Sequence, residues 1–183
     1  MAVKTFTSGE TLTAGDTNTY LNNGGLVYIK SQTVGSGVSS VTVTGAFSTD
    51  YDNYEIILSG GVASGDANLR LTLGATATGY YNSGIYVGYT GATVFGTNTN
   101  NGAFIDIGYG STNALSGRGL IDSPFLAKRT VFRTTPVSTS TTYPMGVFGG
   151  YLNDATSYTA FTITASSGTM TGGTITVYGY RKA

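Results

Sequence analysis

The chain has 183 residues, of which 40% are hydrophobic, so it is long and apolar enough for one folded domain and is not a disordered chain. Nine basic residues balance nine acidic ones, so the clustered positive charge of a nucleic-acid-binding protein is missing. Cysteine and histidine are absent, which excludes disulfides, His-dependent nucleophilic catalysis and ordinary zinc sites. No apolar run reaches the ~18 residues of a membrane span, and the first residues lack a signal-peptide core, so we expect neither membrane insertion nor a leader.

The N-terminal segment is polar and rich in Gly, and it differs from the rest of the chain. Thr13, with Asp16 three residues later, approximates a helix capping box in which Asp stands where Glu or Gln is usual. Leu12, Tyr20 and Leu21 would give this segment a small apolar face, and a Gly-Gly pair would end it. We predict an arm with a helix of about two turns, which is too short to be stable alone and should dock on another surface.

Strand signals repeat at short spacing after the arm. Period-two alternation of apolar and polar side chains, interrupted by Gly, Asn, Asp and Ser, predicts strands at residues 26–32, 41–47, 51–59, 69–73, 80–89, 105–107, 119–122, 130–135, 147–152, 161–165 and 174–180. In the third strand, Tyr54, Ile56 and Leu58 share one face, while Ile57 makes the other face partly apolar. That strand therefore belongs in the middle of a sheet.

The strand pattern predicts an all-β protein. Strands with one apolar face each, joined by short polar turns, favour two packed antiparallel sheets. We predict an antiparallel, jelly-roll-like β-sandwich over residues 26–183, preceded by the arm over residues 1–25. No fixed repeat is evident, which counts against a propeller or a β-helix. Polar stretches predicted to be loops, where binding often occurs, are residues 97–102, 108–117, 137–143 and 166–173.

Carboxylates are the remaining candidates for catalysis or metal binding. A glycosidase needs two carboxyl groups across a cleft, and Glu55 and Asp106 lie within predicted strands, whereas most other acids sit in turn-like contexts. The stretch Asp50-Tyr-Asp52-Asn53 offers oxygen ligands for Ca²⁺, but the acidic loop pattern of a calcium site is absent, which favours a solvated turn. We therefore predict no catalytic residue, no metal and no cofactor.

Fourteen tyrosines occur without any tryptophan. Packing in the core or between strands accounts for most of them, although tyrosine is also favoured at subunit interfaces and stacks on sugars. Candidates for sugar binding are Tyr80, Tyr81, Tyr86, Tyr109 and Arg118. In the last predicted strand, Ile175 and Val177 should point inward. The outward row Thr174, Thr176 and Tyr178, in a chain of low charge, suits a surface that meets copies of itself, so we expect a homo-oligomer.

The arm sequence resembles the N-terminal segment of many tailed-phage virion proteins, which are often labelled tail-fibre or minor structural proteins. Their pattern, F-x-x-G-x-x-L-T-A-x-D-x-N-T-Y-L, is matched here by Phe6, Gly9, Leu12, Thr13, Ala14, Asp16, Asn18, Thr19, Tyr20 and Leu21. Residues 47–56, 69–74 and 173–180 look like parts of the sandwich that often follows this arm in marine and cyanobacterial phages. Residues 90–160 match no pattern of this kind.

The resemblance implies a non-enzymatic virion protein that assembles in the host cytoplasm. It implies a homotrimeric tail fibre or receptor-binding appendage whose head binds a host-surface glycan through its loops. Attachment to other virion proteins, of the tail or the capsid, would use Phe6, Leu12, Thr13, Asp16, Asn18, Tyr20 and Leu21. Two alternatives remain open: a capsid decoration protein, cement protein or head fibre, and a carbohydrate-active enzyme.

Overall fold

A computed structural model describes residues 7–16, 25–140 and 145–182. Within these residues the chain forms one helical turn, α1 (Ala14–Asp16), and otherwise strands and turns. The strands are β1 (Leu26–Thr33), β2 (Ser40–Val43), β3 (Tyr51–Ser59), β4 (Val62–Ala63), β5 (Ala67–Leu73), β6 (Tyr80–Val87), β7 (Val94–Gly102), β8 (Ile105–Gly110), β9 (Leu115–Asp122), β10 (Thr130–Thr134), β11 (Met145–Leu152), β12 (Phe161–Ala165), β13 (Met170–Thr171) and β14 (Thr174–Arg181). The predicted all-β class is confirmed.

The strands form two layers that pack face to face. The larger layer has the order β1-β14-β3-β9-β10-β11-β6-β7, and the smaller one has the order β2-β12-β5-β8. The first residues of β9 pair with β8 through Gly108 and Gly117, so one hairpin joins the two layers. Strands β4 and β13 pair separately. Every pairing is antiparallel, which confirms the predicted antiparallel sandwich.

Strand β3 lies in the middle of the larger layer, as predicted, because it pairs with β14 on one side and β9 on the other. Its residues Tyr54, Ile56 and Leu58 are buried against the smaller layer. The Tyr54 hydroxyl donates toward the Ser48 carbonyl (2.9 Å) and the Tyr51 carbonyl (3.1 Å), and it accepts from the Ser48 amide (2.9 Å). The buried Tyr54 therefore has hydrogen-bond partners for its hydroxyl, and these bonds fix the turn from Ser48 to Tyr51 that leads into β3.

Strand β14 also follows its predicted pattern. Ile175 and Val177 are fully buried, while Thr174, Thr176 and Tyr178 point to the outer face and are half-buried. Tyr178 meets Tyr28 of β1 edge to face, with ring centroids 6.1 Å apart. The alternation holds because each layer buries one face and exposes the other.

Some predicted loops are strands. Residues 97–102 belong to β7, which pairs with β6 although its Thr- and Asn-rich sequence has no apolar alternation. The predicted loop at 108–117 shrinks to a tight turn, in which the Ser111 amide donates to the Ala114 carbonyl (2.9 Å). The flanking strands approach so closely that a Cβ on Gly108 would lie 2.0 Å from the Ser116 carbonyl oxygen. Glycine at position 108 allows the backbones of β8 and β9 to come into close contact, so here it does not indicate a loop.

The predicted arm helix is described only in part. Residues 14–16 form the single turn α1, at the position that the capping signal indicated. Residues 17–24, which would complete the two predicted turns, lie outside the described residues.

Candidate functional site

The outer face of the larger layer carries two neighbouring hollows. We call the first the arginine hollow; it has a volume of about 300 Å³, and Glu55, Arg118, Arg133, Val147 and Tyr180 are among its lining residues. Strand alternation places it there, because Tyr54 and Ile56 on either side of Glu55 point into the core. Antiparallel pairing sets Glu55 opposite Leu120, so side chains from β3, β9 and β10 meet on this face.

Two ion pairs define the arginine hollow. The Arg118 Nε donates to the Glu55 Oε1 at 2.5 Å, and the Glu55 side chain is 3% exposed while that of Arg118 is 65% exposed. Arg133 pairs with Asp122 and is also largely exposed. Each guanidinium has five N–H donors in a planar fork, so both arginines keep donors directed at solvent after pairing. The buried Glu55 carboxylate holds Arg118 in place, and the partly exposed Asp122 carboxylate holds Arg133.

The Tyr180 hydroxyl completes this hollow. Burial raises its pKa, and the negative charge of Glu55 raises it further. The phenol is therefore protonated at neutral pH and donates its hydrogen bond to the Glu55 carboxylate.

The second hollow, the tyrosine hollow, has a volume of about 390 Å³ and is lined in part by Tyr81, Ser83, Asn98, Gly149 and Tyr151. Tyr81 and Tyr151 are directly opposite on β6 and β11, and their rings stack at 5.1 Å with an angle of 7° between planes. The floor is open at Gly149, where a Cβ would find only the Phe132 carbonyl oxygen, 3.8 Å away. The lining is uncharged and offers hydroxyl and amide groups.

A shallow depression lined by Ser83, Ile85, Val147 and Gly149 joins the two hollows. Together they form one open groove across β3, β9, β10, β11 and β6, and we use the word groove for this whole surface. Volumes of this size lie at or just above the lower end of ordinary small-molecule sites, so each hollow suits one small unit of a longer ligand.

Two of the predicted sugar-binding tyrosines are buried, which corrects the prediction for them. Tyr80 is 1% exposed, its ring packs near Phe132, and its hydroxyl accepts from the Leu73 amide at 2.7 Å. Burial raises the pKa of Tyr80 to about 12. Tyr109 is 6% exposed. Neither ring presents a face on which a sugar could stack.

The other three candidates lie on the surface, although not together. Tyr86 stacks on Phe95 with centroids 5.4 Å apart, and it alternates with Ile85, so it faces away from the groove. Tyr81 lies in the tyrosine hollow and Arg118 in the arginine hollow. Tyr151 lies beside Tyr81 in the tyrosine hollow, and Arg133 lies beside Arg118 in the arginine hollow. Neither was among the predicted residues, because only the pairing register of the strands brings them to these positions.

The two acids considered for a glycosidase do not flank a common cleft. Glu55 lies on the outer face of the larger layer, whereas Asp106 lies between the buried Ile105 and Ile107 and points outward from the smaller layer. Among residues 7–16, 25–140 and 145–182, no group of three or more His, Cys, Asp or Glu side chains could hold a metal ion.

The buried carboxyl of Asp106 predicts a pH-dependent stability. Burial raises its pKa above the ordinary 3.8, and the nearby Arg70 only partly opposes this. Below pH 3.8 the carboxyl is protonated in both folded and unfolded chains, and stability is lost as the pH rises through the raised folded pKa. The Asp106→Asn side chain stays neutral at every pH. As the pH rises from about 3 to about 7, the stability of this variant in thermal unfolding should therefore increase relative to that of wild type.

Asp154 provides a control of opposite sign. Hydrogen bonds from Tyr158 and Thr156 lower its pKa below 3.8, so its contribution is present above that pH and lost as the pH falls. Asp154→Asn should lose stability relative to wild type over the same rise in pH. If both variants change in the same direction, the burial of Asp106 does not control its protonation.

The arm is exposed where it is described. Residues 7–15 are all exposed, including Leu12 at 48% and Thr13, while Asp16 ends α1. The Glu10 amide donates to the Thr7 carbonyl at 3.1 Å, and the Thr7 amide donates to the Glu10 carboxylate at 3.1 Å, which closes a local turn. The remaining predicted attachment residues, Phe6, Asn18, Tyr20 and Leu21, lie outside the described residues.

In the described part of the chain, no helix is long and apolar enough to cross a membrane. Comparisons of the chain with protein-family models, with curated proteins and with solved structures find no match.

Proposed function

We propose that this chain is a non-enzymatic structural protein of a tailed-phage virion. In this proposal it is a receptor-binding appendage of the tail, attached to another virion protein through its N-terminal arm. The arm motif supports the virion assignment, and the exposure of residues 7–15 leaves that segment accessible to a partner. The observation that carries receptor binding is the groove, an open surface where charged and aromatic side chains meet.

The chemistry of the groove suits a host-surface glycan. Sugar hydroxyls both donate and accept hydrogen bonds, and Arg118 and Arg133 supply donors that remain after pairing with their carboxylates. The Tyr81–Tyr151 pair offers apolar ring surface beside the Asn98 amide. Two adjoining hollows would take successive units of one oligosaccharide. Binding would therefore use a sheet face, whereas the sequence favoured the loops.

Gly149→Leu should weaken glycan binding strongly without unfolding the protein. The new side chain would project into the tyrosine hollow, since a Cβ at this position meets open space. We expect at least a tenfold weaker binding of the full chain to purified host envelope polysaccharide, measured by calorimetry, with an unchanged unfolding temperature. A tenfold change corresponds to about 1.4 kcal/mol.

Gly65→Leu is the matched control, because Gly65 also has open space at its Cβ and lies outside the groove. It should bind like wild type. Equal binding by wild type and Gly149→Leu, with both proteins folded, would show that the groove is not the receptor site.

The second candidate is a capsid decoration protein or head fibre, held by the same arm. Exposed apolar side chains at one end of the sandwich, such as Val94 (60% exposed) and Met145 (49% exposed), favour it because they would suit contacts with neighbours in a shell. In that role the protein would bind no glycan, and it would be found on the capsid and not on the tail.

A further inference from the structure

The open edges of the two layers differ in how they are protected. Exposed edge strands invite pairing with other chains, and proteins block them with charges, prolines, bulges or short length. Edge strand β1 carries Lys30 and a register shift beside it. Edge strand β2 has only four residues, and the Lys30 Nζ donates to the Thr44 carbonyl just beyond it at 2.5 Å.

Strand β7 lacks most of these protections. It has nine residues, with neither a charged residue nor a proline, and among the described residues no strand pairs with its outer side. Its pairing with β6 is regular from Val94 to Thr99, and the register shifts only near its end at Gly102. The longest open edge is therefore the one left uncharged and regularly paired over most of its length.

Apolar side chains continue from this edge onto the neighbouring strands. Cross-strand pairing sets Val94 opposite Val87, Val87 opposite Met145, and Ile85 opposite Val147, all on one face. Ile85, Val94, Met145 and Val147 are 58%, 60%, 49% and 57% exposed. We call β7 together with these five side chains the apolar edge. Contiguous exposed apolar surface rimmed by polar residues marks an interaction site.

The absence of charge narrows the choice of partner. Residues 71–105 and 134–153 contain no Asp, Glu, Lys or Arg, so β6, β7 and β11 carry no charge at all. A partner selected by charge complementarity would find nothing to pair with here. The same surface of a second copy meets no like-charge repulsion, and its β7 offers backbone N–H and C=O groups on the outer side that no strand in the described part of the chain pairs with.

We propose that the apolar edge is the self-association surface of this protein, covered by a second copy of the chain. Half-exposed side chains of this kind, with Tyr89 and Val137 nearby, offer on the order of 500 Å² of mostly apolar surface. That matches the apolar share of a standard interface of about 800 Å² per partner. The row Thr174, Thr176 and Tyr178 is less suited, because its side chains are already half-buried and β14 has no open edge beside them.

The test is the assembly state of the full chain by sedimentation velocity across micromolar concentrations. Wild type should form oligomers, and Val94→Lys should shift the dissociation constant at least tenfold toward monomer. Met145→Lys, on a different strand of the apolar edge, should do the same. Val62→Lys, an exposed valine on β4, should assemble like wild type. Unfolding temperatures, measured at a concentration low enough for all four proteins to be monomeric, should agree, since each substituted side chain is exposed in the single chain.

A monomeric wild type at the highest concentration would overturn the proposal. Oligomers that form equally well with both lysine variants would overturn it too, because the contact would then lie elsewhere. Ile85 and Val147 belong to both the apolar edge and the groove, so glycan binding is measured on the monomeric Val94→Lys variant, where no second copy covers the groove. A failure of one proposal then stays distinguishable from a failure of the other.

Discussion

A chain that lacks residues 1–24 should fold like wild type and fail to join the particle. Among the described residues, the buried core begins at Val34, so the deletion removes none of it. Strand β1 starts at Leu26, and the Arg181 amide still donates to the retained Gly25 carbonyl at 2.9 Å. The sandwich therefore keeps its contacts, whereas the motif-bearing segment is lost.

The size of the effect follows from the few anchors in the arm. Burial of Leu12, Tyr20 and Leu21 could contribute on the order of 1.5–3 kcal/mol each, while ordering the backbone costs about 1 kcal/mol or more per residue. Docking then needs several anchors at once. Tyr20→Ala combined with Leu21→Ala should reduce incorporation partly, and the full deletion should abolish it. Fully extended, about 25 residues span ~80 Å, so the partner need not touch the sandwich.

Incorporation is measured by adding purified wild-type or truncated protein to particles that lack it. Thermal unfolding of the free truncated protein is the control. Full occupancy by the truncated chain would mean that the arm is not the anchor. An unfolded truncated chain would mean that the boundary at residue 25 is wrong.

Phe161→Ala should lower the free energy of unfolding by about 3–5 kcal/mol. Phe161 is fully buried on β12, in the centre of the smaller layer between β2 and β5. Its ring lies 5.7 Å from that of Phe47, which in turn lies 4.8 Å from Tyr54 of the larger layer. Removing it leaves a cavity where the two layers meet, and close-packed sheets relax into it only partly.

Thr162→Ala on the same strand is the matched control. Its side chain points outward, where its hydroxyl lies 2.9 Å from that of Thr42, and losing one such hydrogen bond costs about 1 kcal/mol. Urea unfolding of both variants measures the difference. Similar losses for the two would contradict the assignment of Phe161 to the centre of the core.

The predictable strands are those with a buried face. The alternation in β3 and β14 reports burial directly, so their inward residues, such as Ile56 and Ile175, could be named from the sequence. Strand β7 could not be found in this way, since none of its residues is buried and its Thr and Asn side chains look like a loop. Backbone pairing with β6 stabilises β7, and such pairing requires no particular side-chain pattern in the edge strand.

The groove was predictable only in fragments. Alternation says that Tyr80 and Tyr81 face opposite sides of a strand, but not which side is the core, so both were candidates. Tyr151 and Arg133 come next to Tyr81 and Arg118 only through the register of β11 and β10, more than ten residues away in the chain. The register between distant strands depends on the whole sandwich, so it cannot be read from the sequence of any single strand.

The position of this protein on intact particles tests the central proposal most directly. Antibody against the sandwich, visualised by gold labelling in electron microscopy of purified phage, should mark the tail. Particles assembled with the chain lacking residues 1–24 should show no label. Label spread over the capsid, with none at the tail, would contradict a receptor-binding appendage and favour a decoration protein.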